Sequence, residues 1–342
     1  MELRFTVGMP TASRRRLPLL ITLLVAGLLA VLVVWPQLIG AERWQGVALL
    51  ISFRAPVAIG FAALAVVAGI VALLRRRAAV ALGLAVVCAA VAVGNGAVLL
   101  ARGWGGSVAE GDLTVAVWNT YGGGASPDAI ARLVRESGAD VVSLPETDSR
   151  AAAEVVGILE RGGIRMTAAT VDAAPGDRPV PTSLLVADAL GPYVLDPAAG
   201  STPGAPSGVW RPVDGTGPTL VAAHPLPPLP FMLDDWTRGI DWIAAQCARP
   251  DVILAGDLNS TLDHLSGLGR NGGTVGECED AAREAGAAAR GTWPVDLPTA
   301  LAAPIDHILV GSAWEVRSFE VRTDFDDAGS DHRPVVAVLS RR

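Results

Sequence analysis

The chain has 342 residues, is 51% hydrophobic and carries a formal net charge of −7, with a mean hydropathy of +0.43. That is too apolar for an ordinary soluble protein, and the apolar residues concentrate in 17–101. Residues 1–106 hold ten arginines and two acids, which leaves 17 basic and 32 acidic residues in 107–342; so acidic a C-terminal part should repel a nucleic-acid backbone, which weighs against nucleic acid as the partner.

Residues 1–16 end in Arg14-Arg15-Arg16 and read as a cytoplasmic N-terminus. Leu17 to Trp35 is an uncharged run of 19 residues, long enough to cross a bilayer as a helix. It closes at Trp35-Pro36, at the depth tryptophan prefers. It is long for the apolar core of a signal peptide, and further spans follow. Val47–Phe53 is apolar but is interrupted by Arg54-Ala55-Pro56, and reads as an interfacial piece or as the frayed start of the next span. Pro56–Leu74 is a second uncharged run and Ala78–Ala101 a third, with Asn95 as its only strongly polar residue. Arginine triplets stay on the cytoplasmic side, so 14–16 and 75–77 place the loop between the first two spans, and everything after Arg102, outside; Arg43 and Arg54 oppose this and are outnumbered. The expected organisation is a membrane domain of three transmembrane helices at 17–101, a Gly-rich linker at 102–111 and an extracytoplasmic domain at 112–342.

From Leu113 the texture changes to an α/β pattern rich in short strands. Strands are expected at 113–118, 141–144, 164–169, 182–187, 192–196, 219–223, 252–255, 305–310 and 334–339, and helices at 126–137, 150–161, 233–248 and 278–287. Cys88 lies in an apolar helix and reads as packing. Cys247 and Cys278 can pair as a disulfide if their domain faces an oxidising space.

Polar clusters sit at the ends of the apolar runs. Val252-Ile253-Leu254-Ala255 is followed by Gly256-Asp257-Leu258-Asn259, a turn that either caps itself or aims a carboxylate and an amide at a water or a phosphate oxygen. Asn119 ends the first strand. Glu146 follows a buried run, where an unpaired carboxylate is costly; an arginine or a divalent cation relieves that cost. His224 ends another strand, and His264 follows the Gly-Asp-Leu-Asn turn. In Ile305-Asp306-His307-Ile308, alternation sends Asp306 and His307 to opposite faces. Asp331-His332 precedes the last strand, and an imidazole with a carboxylate at hand suits a base held in one tautomer.

In order along the chain, Asn119, Glu146, His224, Gly256-Asp257-Leu258-Asn259, Asp306 and Ser330-Asp331-His332 resemble the motif set of the endonuclease/exonuclease/phosphatase superfamily, the DNase I-like fold, over about residues 112–340. Thr292-Trp293-Pro294 is similar to a feature of its bacterial branch. Pro145 stands where the family commonly has Gln, and Leu258 where Phe is common; neither change removes a chemical group. The resemblance implies a four-layer α/β/β/α sandwich, here preceded by three transmembrane helices. It implies Mg²⁺, or Mn²⁺ in its place, bound by Glu146 with Asn119 nearby and Asp331 assisting. Asp257 and Asn259 would orient the attacking water and a phosphate oxygen. His332, held by Asp306, would act as general base or phosphate clamp. His224 would stabilise the pentavalent state or protonate the leaving group.

Three spans followed by such a domain are similar to the VanJ-type glycopeptide-resistance membrane proteins. That likeness implies a lipid-linked phosphate substrate, such as undecaprenyl pyrophosphate, at the outer membrane surface. His264 and His307 are further expected substrate contacts. The stiff apolar run Pro225–Leu233, with Leu229 and Phe231, is expected either to rest on the bilayer and guide lipid or to pack on its own domain. An extracytoplasmic nuclease, a sphingomyelinase-like phosphodiesterase and a non-catalytic receptor remain the alternatives.

Overall fold

The computed structural model describes residues 11–74, 78–106, 109–173 and 180–342. Four helices open the chain: α1 (Thr11–Val34), α2 (Val47–Ser52), α3 (Arg54–Leu74) and α4 (Ala78–Arg102). Among the described residues, α3 and α4 are long and apolar enough to cross a membrane, while α1 contributes a shorter apolar stretch, Leu24–Val34. The flanks of α3 and α4 display bare hydrocarbon, with Leu64, Val66, Leu73 and Leu100 all exposed, as expected of helices solvated by lipid. Helix α1 begins before the expected span and takes in Arg14–Arg16; residues 1–10 and Arg75–Arg77 lie outside the described residues. Val47–Phe53 is not the start of the second span. It is a separate short helix ended by Phe53, and α3 restarts at Arg54.

The remainder folds as two mixed sheets. The strands are β1 (Leu113–Val117), β2 (Val141–Pro145), β3 (Met166–Val171), β4 (Thr182–Ala187), β5 (Tyr193–Leu195), β6 (Gly208–Pro212), β7 (Thr219–Ala223), β8 (Val252–Asp257), β9 (Glu279–Asp280), β10 (Asp306–Val310), β11 (Trp314–Val321) and β12 (Val335–Arg341). One sheet runs β11-β12-β1-β2-β4-β3 and the other β5-β6-β7-β8-β10-β9. The two-residue period of each strand sorts side chains into layers. Leu113, Val115 and Val117 meet Leu220, Ala222, Ile253 and Ile308 between the sheets. Ala116 and Trp118 face outward onto α5 (Pro127–Ser137) and α6 (Ser149–Arg161). Val221 and Leu254 face outward onto α7 (Leu233–Gln246). Helices therefore cover the outer face of each sheet, as in a four-layer sandwich.

Three strands departed from the expected pattern. The extended segment β6 is closed at its ends by Gly208 and Pro212, residues that read as turn. Edge strand β11 carries a bulge between Val316 and Ser318 that breaks its alternation. In place of the helix expected at 278–287 are β9 and a single turn, α8 (Ala281–Glu284), capped by the Asp280 side chain on Arg283 N–H. Cys247 and Cys278 form a buried disulfide, Cα–Cα 5.4 Å, between the end of α7 and β9.

The apolar helices are bolted to the sandwich at one end. Asp263 takes Arg54 Nε on Oδ2 at 2.7 Å, and receives Gln37 Nε2 and Arg102 Nη2 on Oδ1, each at 2.8 Å. Arg54 also donates through Nη1 to Asn95 Oδ1 at 2.7 Å and to the carbonyl of Val34 at 3.2 Å. Burial alone would raise the Asp263 pKa, but the two guanidiniums override it and hold the group well below the usual carboxylate range. Arg43 donates to the carbonyls of His264 and Ser266. Both arginines that weigh against the orientation read from the triplets, Arg43 and Arg54, are thus engaged by the sandwich, and Asn95 in the apolar helix α4 holds one of them.

Candidate active site

Both sheets deliver polar groups to the same edge. The parallel pairs β1–β2 and β7–β8 end there, bringing Asn119, Glu146, His224 and Asp257 together, and the antiparallel strands β10 and β12 begin there with Asp306 and His332. Asp306 pairs in register with Asp257, and so sits at the mouth of the same strand pair.

The backbone is bent to aim these groups. Among the described residues four non-glycine residues have positive φ, and three of them, Tyr121 (54°), Glu146 (61°) and Asn259 (46°), line this edge. Such conformations persist only where the surroundings enforce them. Thr120 Oγ1 supplies part of that enforcement, bonding the Glu146 carbonyl at 3.0 Å and Thr147 Oγ1 at 2.8 Å. Asn259 is pinned by its N–H to Asp257 Oδ1, 2.8 Å, and by Nδ2 to the Pro225 carbonyl, 3.0 Å.

At the centre, Asn119 Nδ2 donates to Asp257 Oδ2 at 3.0 Å and to Glu146 Oε1 at 3.4 Å, while its Oδ1 accepts the Tyr121 N–H at 2.9 Å. Asn119 is thus the donor that holds two carboxylates together; its oxygen is turned away from them. His224 Nε2 stands 3.7 Å from Glu146 Oε1 and 3.9 Å from Asp257 Oδ2. His332 bonds Asp306 Oδ2 through Nδ1 at 2.9 Å and presents Nε2 to Asp257 Oδ2 at 3.7 Å and to Asp331 Oδ1 at 3.9 Å. Ser330 Oγ donates to the Asn119 carbonyl and receives the His332 N–H, which ties β1 to the start of β12. Trp293 Nε1 donates to Asp331 Oδ2 at 2.9 Å. Sequence reasoning gave Thr120, Thr147 and Trp293 no role in the site; only the Thr292-Trp293-Pro294 triplet pointed to one of them.

Electrostatics sharpen the picture. Burial lowers the His332 pKa, but the carboxylates of Asp306 and Asp257 outweigh it and push it up to about 9. Burial raises Asp257, with His332 opposing. His332 therefore carries its proton in the neutral range. Its folded pKa lies above the unfolded value of about 6.5, so its attraction to the carboxylates stabilises the fold fully below about pH 6.5 and is lost as pH rises through about 9. In chelator, the melting-temperature gap between wild type and His332→Gln should shrink from about pH 6 to about pH 10. A gap that does not change with pH would contradict this.

Two of the expected contacts lie elsewhere. His264 is fully buried and its pKa is lowered to about 4 by burial. Its Nδ1 accepts the Thr261 N–H and its Nε2 meets the Ala48 carbonyl at 3.0 Å, so it fixes α2 and touches no substrate space. His307 faces away from Asp306, with Nδ1 on Asp280 Oδ2 at 2.7 Å and Nε2 on the Ser260 carbonyl at 2.8 Å. Burial pulls its pKa down, but Asp280 wins and raises it. Leu229 lines the cleft, whereas Phe231 stands fully exposed in the same loop.

The cleft, about 350 Å³, contains Asn119, Glu146, His224, Asp257, Asn259, Asp331 and His332. Asp257, Asp306 and His332 offer ligand atoms within 4.8 Å of one another. His332 Nδ1 occupies Asp306 Oδ2 but leaves Asp306 Oδ1 buried with no hydrogen-bond partner among the described residues, so Asp306 joins Glu146, Asp257 and Asp331 in offering oxygen to a cation. Asp331 Oδ1 is buried with no hydrogen-bond partner among the described residues. An oxygen-rich donor set with an orphaned carboxylate oxygen fits a hard divalent cation.

The two-sheet sandwich thus brings carboxylates, amides and imidazoles to one edge, with a possible acidic and histidine metal site among them. The model of the endonuclease/exonuclease/phosphatase family matches residues 116–332, more than half of the chain, and the chain belongs to that family. Its members hydrolyse phosphoesters and are in general dependent on a divalent metal. Among solved structures, the chain is similar to an endonuclease/exonuclease/phosphatase from Beutenbergia cavernae (TM-score 0.50, 20% identity, covering 68% of this chain and 72% of that one). It is also similar to one from Bacteroides vulgatus (0.48, 15%, 67% and 99%) and to a mannosyl-6-phosphatase from Bacteroides thetaiotaomicron (0.43, 17%, 67% and 99%). No curated protein sequence matches the chain.

Proposed function

We propose that this protein is a membrane-embedded, Mg²⁺-dependent phosphoesterase or pyrophosphatase that acts on a lipid-linked phosphate, such as undecaprenyl pyrophosphate, at the outer membrane surface. The observation that carries the reading is where the cleft lies. The groups that handle phosphate share it with Leu49, Phe53, Leu226 and Leu229, next to the end of the apolar helix pair that holds Arg54 and Arg102. The chain enters the bilayer by α1, α3 and α4, with the N-terminus inside. The Cys247–Cys278 disulfide supports an oxidising, extracytoplasmic location for the sandwich.

Glu146, with Asp257 and Asp331, would hold the cation, which when bound neutralises charge on the phosphoryl oxygens and sharpens a water's acidity. Asp257 is locked by Asn119 and by the Asn259 N–H, and Asn259 is locked by Pro225, so the pair can orient a water and a phosphoryl oxygen without moving. Protonated His332 presents its Nε2 hydrogen to a phosphoryl oxygen, with Asp306 fixing the ring. His224, with Nε2 3.7 Å from Glu146 and 3.9 Å from Asp257, is placed to give a proton to the leaving oxygen.

The test is phosphate release by full-length protein from a panel of undecaprenyl pyrophosphate, phospholipids and plasmid DNA, with His332→Ala as control. Release from the lipid pyrophosphate that requires Mg²⁺ is expected; nicking of DNA with no release from any lipid would overturn the reading. Glu146→Gln should raise the Mg²⁺ concentration needed for half-maximal activity by at least about tenfold, measured by titrating metal into chelated enzyme.

A further inference from the structure

One wall of the cleft comes from outside the family domain. Leu49, Ser52 and Phe53 line it together with His332 and Asp257, although they belong to α2 and its end and precede the matched region. Their spacing of three and four residues puts them on one side of a helical turn. The other side is embedded in the sandwich: Ala48 and Ile51 are buried, and Ala48 packs in the same core as Val221, Leu254 and Trp236. His264 fixes the register of α2 through the Ala48 carbonyl. At the end of α2, the Phe53 ring lies 6.0 Å from Trp293, and the Trp293 ring 6.3 Å from His332. The wall is therefore built to a fixed distance from the phosphate-handling histidine.

A second wall of the same cleft is lined by Leu226, Pro227, Pro228 and Leu229, which follow His224 and Pro225. Neither wall carries a charge, and Ser52 is the only polar side chain on either of them. A sugar or a nucleobase placed between them would leave its hydrogen-bonding groups unpaired; a hydrocarbon chain would bury apolar surface on both sides. Phe53 is also the residue immediately before α3, so this slot opens where the chain enters its apolar span.

We propose that Leu49 and Phe53 are specificity-determining residues that, with Leu226 and Leu229, receive the first carbons of the hydrocarbon chain esterified to the phosphate. The inference rests on the lipid-phosphate reading above and goes further: the family domain by itself is an incomplete site, and a loop between apolar helices finishes it. Leu49 and Phe53 do not touch the reacting atoms, so their loss shows in the choice of substrate.

The experiment compares full-length wild type, Leu49→Ser and Phe53→Ser, with Phe53→Leu as the conservative partner. Each is assayed on undecaprenyl pyrophosphate in mixed micelles and on methyl diphosphate, which has the same charged group and no chain. Each serine variant should lose at least about tenfold in kcat/KM on the lipid and stay within about twofold of wild type on the soluble ester, and Phe53→Leu should recover most of the loss. Equal losses on both substrates would assign the residues to support of Trp293 and overturn the inference, as would undiminished lipid turnover. If wild type cleaves methyl diphosphate but no lipid, the proposed function fails as well. If wild type cleaves lipid and the serine variants match it, only this inference fails.

Discussion

His332→Ala should lower kcat by about 10²- to 10⁴-fold, with KM changed far less. The imidazole links two buried acids at the mouth of one strand pair: Nδ1 is held by Asp306 at 2.9 Å, and Nε2 faces the Asp257 carboxylate at 3.7 Å. Its charge is made by those two acids, which push its pKa up to about 9 against burial. A protonated Nε2 stabilises phosphoryl charge most as that charge builds, so its removal shows in kcat more than in binding. The same substitution leaves Asp306 and Asp257 buried side by side without their cation, so the variant also needs a folding control by circular dichroism. His332→Gln keeps a donor and loses the charge, and should fall between alanine and wild type. A kcat within about threefold of wild type for the alanine variant would remove His332 from the mechanism.

The gathering of these polar groups on one edge was legible in the sequence because of where each of them stands. Asn119, Glu146, His224 and Asp257 all end apolar runs, and parallel strands that end together put such residues on one edge. Asp306 could be placed too, since alternation along β10 allows only one of Asp306 and His307 to face that edge; the same rule argues against His307 as a substrate contact, and the structure turns it toward Asp280. His264 misled by proximity: five residues past Asn259 the chain has already left the cleft for α2. Strand β11 was hidden by its bulge, and β6 by a glycine and a proline at its ends. The contribution of Leu49 and Phe53 was beyond sequence reasoning, because no local pattern links α2 to a histidine more than two hundred residues later. A local sign existed nonetheless. Arg54 interrupts an apolar run, and a charge in that position needs a partner; Asp263 turned out to be that partner.

Asp263→Ala should destabilise the full-length protein by about 3–5 kcal/mol, the cost of stranding buried charge. Arg54 and Arg102, 3% and 13% exposed, both depend on this carboxylate. An exposed ion pair is worth under about 1 kcal/mol; a value that small would mean the helices are not rigidly joined to the sandwich. Asp263→Asn keeps the shape and removes the charge, so it should cost nearly as much. Adding Arg102→Leu to Asp263→Ala should recover part of the loss by removing one unpaired cation, a coupling that a double-mutant cycle reads directly. Because the two guanidiniums hold the Asp263 pKa below its unfolded value of about 3.9, its stabilisation is complete above about pH 4 and fades only as pH falls below that. The junction should therefore resist mild acid, and denaturation in detergent near pH 5 should give the same Asp263→Ala deficit as near pH 7. The loss should also reach the chemistry, because Asp263 lies in the loop that begins at Asp257 and Asn259 and runs on to His264, the residue that seats α2. Activity on a lipid substrate should accordingly fall further than activity on a soluble ester, since releasing α2 removes Leu49 and Phe53 from the wall while Glu146 and His332 keep their own supports.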